Sequence, residues 1–495
     1  MDSDEFAVAG RQMIDYVIHY LENIRDRRVF PTVKPGYLRE LIPKDAPEKG
    51  ETWEAVFGDI ERVIMPGITH WHSPRFNAFF PTANSYPAIL ADILSDAIGC
   101  IGFTWAASPS CTELEVVMMD WLAKLLKLPA EFLACEGGKG GGVIQGTASE
   151  ATVVGCLAAK SRKIKAIKEE DKEHPEITER DILSKLMCYA SDQAHSSVER
   201  AALLGALNIR LIKSNEDFSM DPKLLEEAIQ KDKADGLIPF YVVATLGSTP
   251  CCAFDSLVDI GPICQREKVW LHVDAAYAGS AFICPEFRHY MEGIEYADSF
   301  NFNPHKWMLV NFDCSAMWIK DSAELVEAFN VDPLYLRHDK QGLVPDYRHW
   351  QIPLGRRFRS LKLWFVLRMY GVEGIQGHIR QQVALAKEFE QLLKDDNRFE
   401  IVVPVRMGLV CLRLKGSNEL SEKLLKRINE SGKIYVTPSK LREKYIIRFC
   451  VCATRTNSED IKYSWKVISD FAKEILEENK HDAKKPVAQL ATAEE

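Results

Sequence analysis

Between residues 86 and 320, the sequence alternates short apolar, β-branched runs with longer amphipathic stretches. Continuous apolar runs of this kind are typical of strands covered by helices on both faces, so the alternation predicts an α/β fold around a mostly parallel sheet. Ligands bind such sheets beyond the carboxyl ends of the strands, so the residues that follow each run are the first candidates for a site. The clearest runs are 236–244, 269–273 and 315–319, and the clearest helical stretches are 222–233 and 257–268.

The pattern changes on either side of this region and divides the 495 residues into four parts. Residues 1–85 combine an amphipathic helix with a proline-rich segment, which predicts an N-terminal helical arm that packs on another part of the protein or on a second subunit. Residues 86–380 form the predicted large domain, in which the aperiodic stretch 328–345 predicts a mobile catalytic loop. Residues 381–478 mix short strands with helices and predict a smaller α+β domain. The polar, alanine-rich tail 479–495 predicts disorder.

The charge balance argues against nucleic acid as a partner. The chain carries 62 basic and 71 acidic residues, a formal net charge of -9, whereas phosphate backbones bind to basic surfaces. No apolar run approaches the roughly 18 residues that indicate a membrane span, and the acidic N-terminus lacks the features of a secretory signal. The thirteen cysteines lie mostly in apolar segments without zinc-ligand spacing, which favours reduced thiols in the core. We therefore expect a cytoplasmic protein without a metal site.

Lys306 lies between a polar turn and a run of bulky apolar residues. An ammonium group held there loses hydration, and desolvation lowers the pKa of a lysine toward that of a nucleophilic amine. Such an amine forms a Schiff base with a carbonyl compound. The alternative is that the aliphatic stem packs on Trp307 while the ammonium group reaches water, as in most lysines. Lys306 alone does not decide between the two.

A glycine-rich segment, residues 137–146, precedes the string Thr147-Ala-Ser-Glu150, which is typical of a helix N-terminus. Glycines let backbone N–H groups approach an anion, and the helix dipole favours a phosphate at this position. The spacing matches neither the dinucleotide-binding motif nor the nucleoside-triphosphate-binding motif. The segment is therefore either a phosphate cradle or a flexible connection.

Asp274 and His195 each stand at or just after the end of an apolar run, where the carboxyl end of a strand is expected. A carboxylate at that edge costs free energy unless it is paired, for example with a cationic ring nitrogen, although Asp274 fits a helix cap equally well. His195 alone is as consistent with a structural role. Together with Lys306 and the glycine-rich segment, however, these residues are the parts needed to hold pyridoxal 5′-phosphate, whose protonated ring accepts electrons.

Five long strings are shared with one known family. They are Ile64-Met-Pro-Gly-Ile-Thr-His-Trp-His-Ser-Pro74, Ser191-Asp-Gln-Ala-His-Ser-Ser-Val-Glu-Arg200, His272-Val-Asp-Ala-Ala-Tyr-Ala-Gly-Ser280, Asn301-Phe-Asn-Pro-His-Lys-Trp307 and Asp346-Tyr-Arg-His-Trp-Gln-Ile-Pro-Leu-Gly-Arg-Arg-Phe-Arg-Ser360. On these strings the chain resembles the aromatic-L-amino-acid decarboxylases, which are group II pyridoxal-phosphate-dependent decarboxylases. The resemblance implies fold type I of the pyridoxal-phosphate enzymes, with a seven-stranded type of sheet in the large domain. It also implies a homodimer with its active site at the interface.

The resemblance assigns a role to each candidate residue. Lys306 would hold the cofactor as a Schiff base, Asp274 would pair with the ring nitrogen, and His195 would stack on the ring during catalysis. Tyr335, on the aperiodic loop, would donate the proton that completes the reaction. The remaining cofactor contacts would be Ala148, Ser149, Thr249, Asn303 and His305. The substrate contacts would be Thr82, Phe80, His195, Gly355 and, lent across the dimer interface, Ile101 and Phe103.

The implied activity is decarboxylation of aromatic L-amino acids such as L-dopa and 5-hydroxytryptophan to dopamine, serotonin and CO2. Gly355 matches this group, whereas histidine decarboxylases carry serine there, so histidine decarboxylation and tyrosine decarboxylation are less favoured. His195 also matches, whereas the aromatic acetaldehyde synthases, which release aldehyde, ammonia and hydrogen peroxide, typically have asparagine. Phe79-Phe80 departs from both groups, because the decarboxylases usually have Tyr-Phe and the synthases Phe-Tyr. The synthase reaction therefore stays an alternative.

Two other protein classes share some of these features. An inactive binding protein of the same family would lack Lys306, Asp274 or His195, and all three are present. A transaminase uses the same cofactor but needs an arginine that holds the substrate carboxylate, and the sequence alone does not place one.

Overall fold

The computed structural model describes residues 1–135, 138–170, 178–331, 336, 342 and 344–482. These residues form two compact units: one is Thr82–Val383, and the other joins Met1–Pro81 to the described part of Ala384–Glu495. Within the described ranges, no helix is both long and apolar enough to cross a lipid bilayer. The α-helices are α1 (Ser3–Glu22), α2 (Leu38–Leu41), α3 (Trp53–Asp59), α4 (Tyr86–Ile98), α5 (Pro109–Leu126), α6 (Ala148–Glu170), α7 (Glu179–Lys185), α8 (Ser197–Leu204), α9 (Pro222–Ala234), α10 (Leu257–Arg266), α11 (Pro304–Trp307), α12 (Ser322–Phe329), α13 (Arg359–Lys394), α14 (Asn418–Ser431) and α15 (Ser458–Asp482).

The strands form two separate sheets. The first contains β1 (Gly141–Gln145), β2 (Leu186–Ser191), β3 (Asn208–Ile212), β4 (Ile238–Thr245), β5 (Trp270–Asp274), β6 (Ser299–Phe302) and β7 (Ser315–Ile319). The second contains β8 (Phe399–Ile401), β9 (Leu409–Leu414), β10 (Thr437–Leu441) and β11 (Lys444–Cys450).

The sheet of Thr82–Val383 has seven strands in the order β1-β7-β6-β5-β4-β2-β3. Strands β6, β5, β4, β2 and β3 pair in parallel, whereas β7 is antiparallel to both β1 and β6. β1 therefore points in the same direction as the parallel strands. Every residue of β1, β2, β5, β6 and β7 is buried. The predicted α/β fold around a mostly parallel, covered sheet is confirmed.

Capping residues mark the ends of the helices around this sheet. α4 begins after Ser85, whose hydroxyl accepts the Ala88 N–H at 3.3 Å. It ends at Gly99, which has a φ of 64° and closes the helix in the left-handed conformation that glycine adopts most readily. α9 begins with Pro222 directly after the capping carboxylate of Asp221. These signals are local, which is why the predicted helix starts at 222 and 257 agree with the structure.

The other unit contains an antiparallel sheet with the strand order β10-β11-β9-β8. Apolar residues of this sheet and of α13, α14 and α15 form one buried core. Phe389 stacks on Phe449 at its centre, with ring centroids 3.7 Å apart. The small α+β architecture predicted for the C-terminal region is confirmed. β10 was not predicted, because it contains Pro438, which an edge strand accommodates.

The N-terminal segment belongs to this second unit. The Val29 N–H donates to the Gly432 carbonyl at 3.1 Å, and the Asn77 N–H donates to the Tyr435 carbonyl at 2.8 Å. Arg25 donates hydrogen bonds to both carboxylate oxygens of Asp460, each at 2.9 Å. Residues 1–81 are thus tied by backbone and side chain to the C-terminal region of the same chain.

The predicted tail begins too early. α15 continues to Asp482, so residues 479–482 are helical rather than disordered. Lys480 and His481 lie in the last turn, where basic side chains interact favourably with the helix dipole. The rest of the predicted tail, 483–495, lies outside the described residues.

The predicted loop 328–345 is described only in part. Residues 328 and 329 close α12, whereas 332–335, 337–341 and 343 lie outside the described residues.

Candidate active site

Five strands of the large sheet, β1, β2, β4, β5 and β6, point their carboxyl ends at one edge. Each strand ends at, or within four residues of, a predicted site residue. The structure therefore brings these residues to the same edge, as expected for a ligand site of an α/β sheet. In strand order they are Ala148 and Ser149 after β1, His195 after β2, Thr249 after β4, Asp274 at the end of β5, and Asn303, His305 and Lys306 after β6.

Lys306 lies in the short helix α11 and is half-buried. Its N–H donates to the Asn303 carbonyl at 2.9 Å, which fixes the backbone at the start of the side chain. The next residue, Trp307, is 1% exposed and stacks on Tyr277 with ring centroids 4.8 Å apart. The lysine stem is thus attached to a rigid base, and the amine extends from it at the edge of the sheet.

Asp274 is the last residue of β5 and is 4% exposed. Its carboxylate accepts the Ala276 N–H at 3.0 Å. In the neighbouring strands it is in register with Thr245 and Asn301, both of which are buried. A carboxylate in such a place is stabilised by a cation, and a protonated ring nitrogen is a suitable one.

His195 lies close enough to Asp274 and Lys306 to interact with both charges. Burial lowers the pKa of His195, Asp274 opposes this, and Lys306 and Arg200 lower it further. The imidazole is therefore neutral near pH 7. The Ser197 N–H donates to Nδ1 at 3.2 Å, so Nδ1 is an acceptor and the ring proton lies on Nε2. The site thus contains a neutral imidazole in a defined tautomer.

The N-terminus of α6 presents two backbone N–H groups at this edge. The Glu150 N–H donates to the Thr147 hydroxyl at 3.2 Å, and the Glu150 carboxylate accepts the Gly146 N–H at 3.0 Å. Ala148 and Ser149 are the first two residues of the helix, and N–H groups in that position have no acceptor within the helix. Together with the helix dipole they fit a phosphate group.

Asn303 adds an amide donor whose orientation is fixed. The Ser315 hydroxyl donates to Asn303 Oδ1 at 2.7 Å, so the Nδ2 group points the other way and is able to donate to an anion. Asn303 is 3% exposed. Sequence reasoning missed Ser315, whose signal is a hydroxyl at the start of an otherwise apolar run.

An ion pair adjoins the same helix N-terminus. Arg359 donates to both carboxylate oxygens of Asp313, at 3.1 and 2.8 Å. A Cβ added at Gly146 would lie 3.3 Å from Asp313 Oδ2 and 3.8 Å from Arg359 Nη2. This pair was also missed, because three nearby arginines, Arg356, Arg357 and Arg359, look alike in the sequence.

The first glycines of the glycine-rich segment lie close to other parts of the chain. A Cβ at Gly138 would lie 2.5 Å from the Leu133 carbonyl oxygen, and a Cβ at Gly142, in β1, would lie 2.5 Å from the Met119 methyl group. The glycines in residues 138–142 therefore allow the backbone to pack tightly at the start of the strand. The phosphate-binding features begin only at the end of β1, and Gly137 lies outside the described residues.

Thr249 and Thr82 are half-buried. Thr249 belongs to the turn after β4, which opens at Gly247 with a φ of 85°, a conformation that favours glycine. Thr82 precedes Ala83, whose N–H donates to the His305 carbonyl at 2.7 Å. The structure thus places Thr82 beside the segment that carries the lysine.

His305 is 5% exposed and its ring Nδ1 accepts the Cys314 N–H at 2.8 Å. Burial, followed by the charge of Lys306, lowers the pKa of His305 to about 3. The ring is therefore neutral, and its hydrogen bond fixes the chain that returns toward β7.

Ile101, Phe103 and Gly355 form a group of their own. Ile101 and Gly355 are exposed and Phe103 is half-buried. A Cβ at Gly355 would lie 3.8 Å from Ile101 Cγ2. The glycine predicted to make room for the substrate ring and the isoleucine predicted to reach across a dimer interface therefore belong to one patch.

Phe80 lies in the other unit, buried, with the Arg448 guanidinium 5.0 Å from its ring centroid. The preceding Phe79 has a φ of 58° and stacks on Trp71 with ring centroids 5.1 Å apart. A phenylalanine in the left-handed region is uncommon, and such residues cluster at functional sites. The predicted proton donor, Tyr335, lies outside the described residues.

The groups at the edge of the sheet fit pyridoxal 5′-phosphate. The buried carboxylate of Asp274 suits the protonated ring nitrogen, and the Lys306 amine suits the aldehyde. The Ala148 and Ser149 N–H groups and the Asn303 amide suit the phosphate.

Comparison with known proteins agrees with this fit. Residues 35–415 match the family model of the pyridoxal-dependent decarboxylase conserved domain. The aromatic-L-amino-acid decarboxylase of Drosophila melanogaster is 64% identical over 478 residues, which cover 97% of this chain and 93% of that protein. The structure of Oryza sativa TDC with PLP and tryptamine matches with a TM-score of 0.91 at 37% identity, covering 96% of this chain and 99% of that chain. The structure of Rhodiola rosea 4-hydroxyphenylacetaldehyde synthase matches with a TM-score of 0.88, also at 37% identity and with the same coverage.

Proposed function

Because the chain belongs to the pyridoxal-dependent decarboxylase family, we propose that it removes the α-carboxyl group of aromatic L-amino acids as CO2. It is a carboxy-lyase that uses pyridoxal 5′-phosphate, and L-dopa and 5-hydroxytryptophan are the expected substrates, giving dopamine and serotonin. The observation that carries the proposal is the 64% identity, over nearly the whole chain, to an aromatic-L-amino-acid decarboxylase.

Lys306 would hold the cofactor through its amine, and Asp274 would pair with the protonated ring nitrogen. When bound, the cofactor supplies an electron-accepting ring that stabilises the negative charge left on Cα after CO2 departs. The burial of Asp274 supports its role, because a carboxylate in low dielectric favours a protonated partner strongly. The Ala148 and Ser149 N–H groups and the Asn303 amide hold the phosphate end and so orient the ring.

His195 would contact the cofactor ring as a neutral imidazole, which would add contact area without adding a charge near the leaving carboxylate. Thr249, His305 and Thr82 complete the walls on the lysine side. Tyr335, which lies outside the described residues, is the proposed proton donor to Cα. We place Phe80 at the substrate ring, together with Ile101, Phe103 and Gly355 of a second copy of the chain, since a Cβ at Gly355 would lie 3.8 Å from Ile101 Cγ2.

We propose that the second copy forms a homodimer with the first. α4 exposes a row of apolar side chains, Leu90, Ile93, Leu94 and Ile98, each between 43% and 51% exposed. Their spacing puts them on one face of the helix, and contiguous apolar surface of this kind marks an interaction site. Ile101 follows directly after this helix and is 55% exposed. The stripe thus continues into the residues expected to reach the partner's substrate.

We also propose a cytoplasmic location. Eleven of the thirteen cysteines are buried, as is typical of thiols that fill the core of proteins from reducing compartments. Cell fractionation would test this, and recovery of the protein in the secreted fraction would contradict it.

The acetaldehyde synthase reaction is not favoured. The synthase structure is 37% identical to this chain, whereas the Drosophila decarboxylase is 64% identical. His195 is also the residue that the decarboxylases carry at this position.

One assay decides between the two reactions. The purified protein, loaded with pyridoxal 5′-phosphate, is incubated with L-dopa in air, and dopamine, CO2, aldehyde and peroxide are measured together. We expect CO2 and dopamine in equal amounts. Peroxide equal to the L-dopa consumed, with little dopamine, would contradict the proposed function, as would turnover of histidine alone.

A further inference from the structure

Residues 101–103 have neither helix nor strand of their own, and two hydrogen bonds hold them. The Gly102 N–H donates to the Arg356 carbonyl at 3.2 Å, and the Arg348 N–H donates to the Phe103 carbonyl at 3.1 Å. The position of this segment therefore depends on the backbone at Arg356. That backbone also carries Gly355, which faces Ile101.

The side chain of Arg356 points inward and is 3% exposed. Its guanidinium donates to the Glu115 carboxylate at 2.6 Å, to the Ile144 carbonyl at 3.1 Å and to the Gln351 amide oxygen at 2.8 Å. It also lies 4.4 Å from the ring centroid of Tyr347, within cation–π distance. Four groups from three parts of the chain thus hold one side chain.

Glu115 connects this arginine to the sheet. It lies on α5, its side chain is 4% exposed, and the carboxylate oxygen that binds Arg356 also accepts the Ile144 N–H at 2.8 Å. Ile144 belongs to β1, the strand that leads into the N-terminus of α6. The buried pair therefore links the phosphate-binding strand of one subunit to the segment that the subunit presents on its surface.

The backbone of this segment is also packed closely against α5. A Cβ added at Gly102 would lie 2.7 Å from Cys111 Cβ and 3.1 Å from its Sγ. Residues 101–103 thus pack on α5 and are hydrogen-bonded to the backbone of Arg356, while the side chain of Ile101 is exposed. Both contacts depend on α5, because this helix carries Cys111, on which the segment packs, and Glu115, which binds Arg356.

We infer that Arg356, held by Glu115, is a positioning residue that sets the distance of residues 101–103 and Gly355 from the aromatic ring of a substrate bound by a second copy of the chain. The inference deepens the proposed function and rests on it and on the proposed dimer. Arg356 touches no reacting atom and acts only through its backbone. Because a pocket wall displaced by an ångström changes rate and selectivity by large factors, the pair takes part in choosing between catechol and indole rings.

A purely structural role makes a different prediction. Removing one member of a buried ion pair leaves a buried charge without its partner, which destabilises the fold whatever else the pair does. Removing both charges relieves that cost. The double variant Glu115→Gln/Arg356→Met therefore separates stability from positioning. If the pair positions the segment, the variant regains stability while residues 101–103 remain displaced.

The test compares Arg356→Met, Arg356→Lys and the double variant with the wild type. The matched control is Arg357→Met, which removes the neighbouring arginine, paired with Asp96 on the surface at 2.7 Å. Two quantities are measured on the holoenzyme: hydrogen exchange of the amides of residues 101–103, and the ratio of kcat/KM for L-dopa to that for 5-hydroxytryptophan. Light scattering checks that each variant keeps the mass of the wild type.

We expect the Gly102 amide to exchange about ten-fold faster or more in Arg356→Met and in the double variant, with an intermediate effect in Arg356→Lys. We expect the substrate ratio to change about five-fold or more in the same variants and to stay within about two-fold of wild type in Arg357→Met. If the double variant regains wild-type exchange or a wild-type ratio together with its stability, the pair is a structural support only and the inference is wrong. If the wild type decarboxylates neither substrate, the proposed function is wrong, while the exchange data still decide whether Arg356 anchors the segment.

Discussion

Asp274, His195 and Lys306 influence one another through charge. The carboxylate of Asp274 raises the pKa of His195, whereas burial and the ammonium of Lys306 lower it, and the net result is lower than the ordinary value. A histidine that stays neutral provides a flat surface without competing with a cationic ring nitrogen for the carboxylate of Asp274. The electrostatics of the site thus assign different tasks to three neighbouring ionisable groups.

These three residues could be predicted from the sequence because each stands at or after the end of an apolar run, and parallel strands bring such positions together. The orientation of Asn303 could not be predicted, since it depends on the hydroxyl of Ser315 from a strand that is adjacent only after folding. The role of the glycines of residues 138–142 could not be predicted for a related reason. Their close neighbours belong to distant parts of the chain, so composition alone cannot distinguish tight packing from anion binding.

Replacing Lys306 with alanine tests its proposed role directly. Without the amine the cofactor has no covalent attachment, so we expect Lys306→Ala to lose the visible absorption band of the bound cofactor and to decarboxylate L-dopa about 10³-fold more slowly or worse. Lys165→Ala is the control, because Lys165 is an exposed lysine paired with Glu327 at 2.8 Å. An unchanged absorption spectrum in Lys306→Ala would mean that another lysine holds the cofactor.

Asp255 gives the stability of the protein a defined pH dependence. Its carboxylate is buried and accepts the N–H groups of Met220 and Thr245 at 2.6 and 2.7 Å, and burial raises its pKa to about 6 from 3.8. Between about pH 4 and 6 the folded protein keeps a proton that the unfolded chain has lost. The stability that Asp255 contributes is therefore complete below about pH 4 and is lost as the pH rises to about 6, by roughly 3 kcal/mol in all.

Asp255→Asn removes this titration. In urea unfolding, the stability of the variant relative to wild type should rise by about 2–3 kcal/mol between pH 4 and pH 7. Asp217→Asn, at an exposed turn, is the surface control. A difference between Asp255→Asn and wild type that stays constant over this range would show that Asp255 is ionised throughout.

At the level of elements, α13 departs from its sequence pattern. The sequence has helical spacing from Arg356 to about Lys394, and the structure has a helical segment in this region, Arg359–Lys394. It is interrupted at Gly371, where φ is 64° and ψ is 178°. That backbone conformation is essentially restricted to glycine. The interruption was not predictable, because a glycine inside a helical pattern is usually tolerated without a break.

Two glycines of this helix should respond to alanine in opposite directions. Gly377 is exposed, has helical geometry and has open space where a Cβ would be, so Gly377→Ala should raise the free energy of unfolding by about 0.5–1 kcal/mol. Gly371→Ala should lower it by about 1–3 kcal/mol, because alanine is strained at this φ. Thermal unfolding of the two variants side by side provides the measurement. Stabilisation by both would show that the chain is continuously helical at 371.

At the level of the whole molecule, the apolar stripe of α4 is the feature that the sequence did not reveal. An amphipathic helix shows which side chains share a face but does not show whether that face meets the protein interior or a partner. The fold shows that this face does not meet the interior of the single chain, because α4 buries Ala88 and Ala91 on one side and exposes Leu90 and Leu94 on the other. The predicted domain limits at residues 85 and 380 stay predictions.

The dimer is tested by placing a charge on this stripe. Leu90→Asp should dissociate the dimer, because an aspartate buried at an apolar interface has no partner, and decarboxylation should fall with it by about ten-fold or more. Leu204→Asp is the matched control, since Leu204 is 68% exposed on α8. Sedimentation at several concentrations gives the mass of each variant. A dimeric and fully active Leu90→Asp protein would place the subunit interface elsewhere.

One unit combines two separate parts of the chain, the first ending at Pro81 and the second beginning at Ala384. Between them in the sequence lies the whole of Thr82–Val383, roughly 300 residues. At a synthesis rate of about 5–20 residues per second, the N-terminal arm therefore leaves the ribosome some 15–60 s before synthesis of the second part of its unit begins. The middle unit, Thr82–Val383, is contiguous in the sequence and can fold in that interval. During this time the N-terminal arm lacks the C-terminal residues to which it binds. We expect nascent chains halted near residue 383 to protect the middle unit from protease and to leave residues 1–81 accessible. Early protection of the arm would point to a temporary partner during translation.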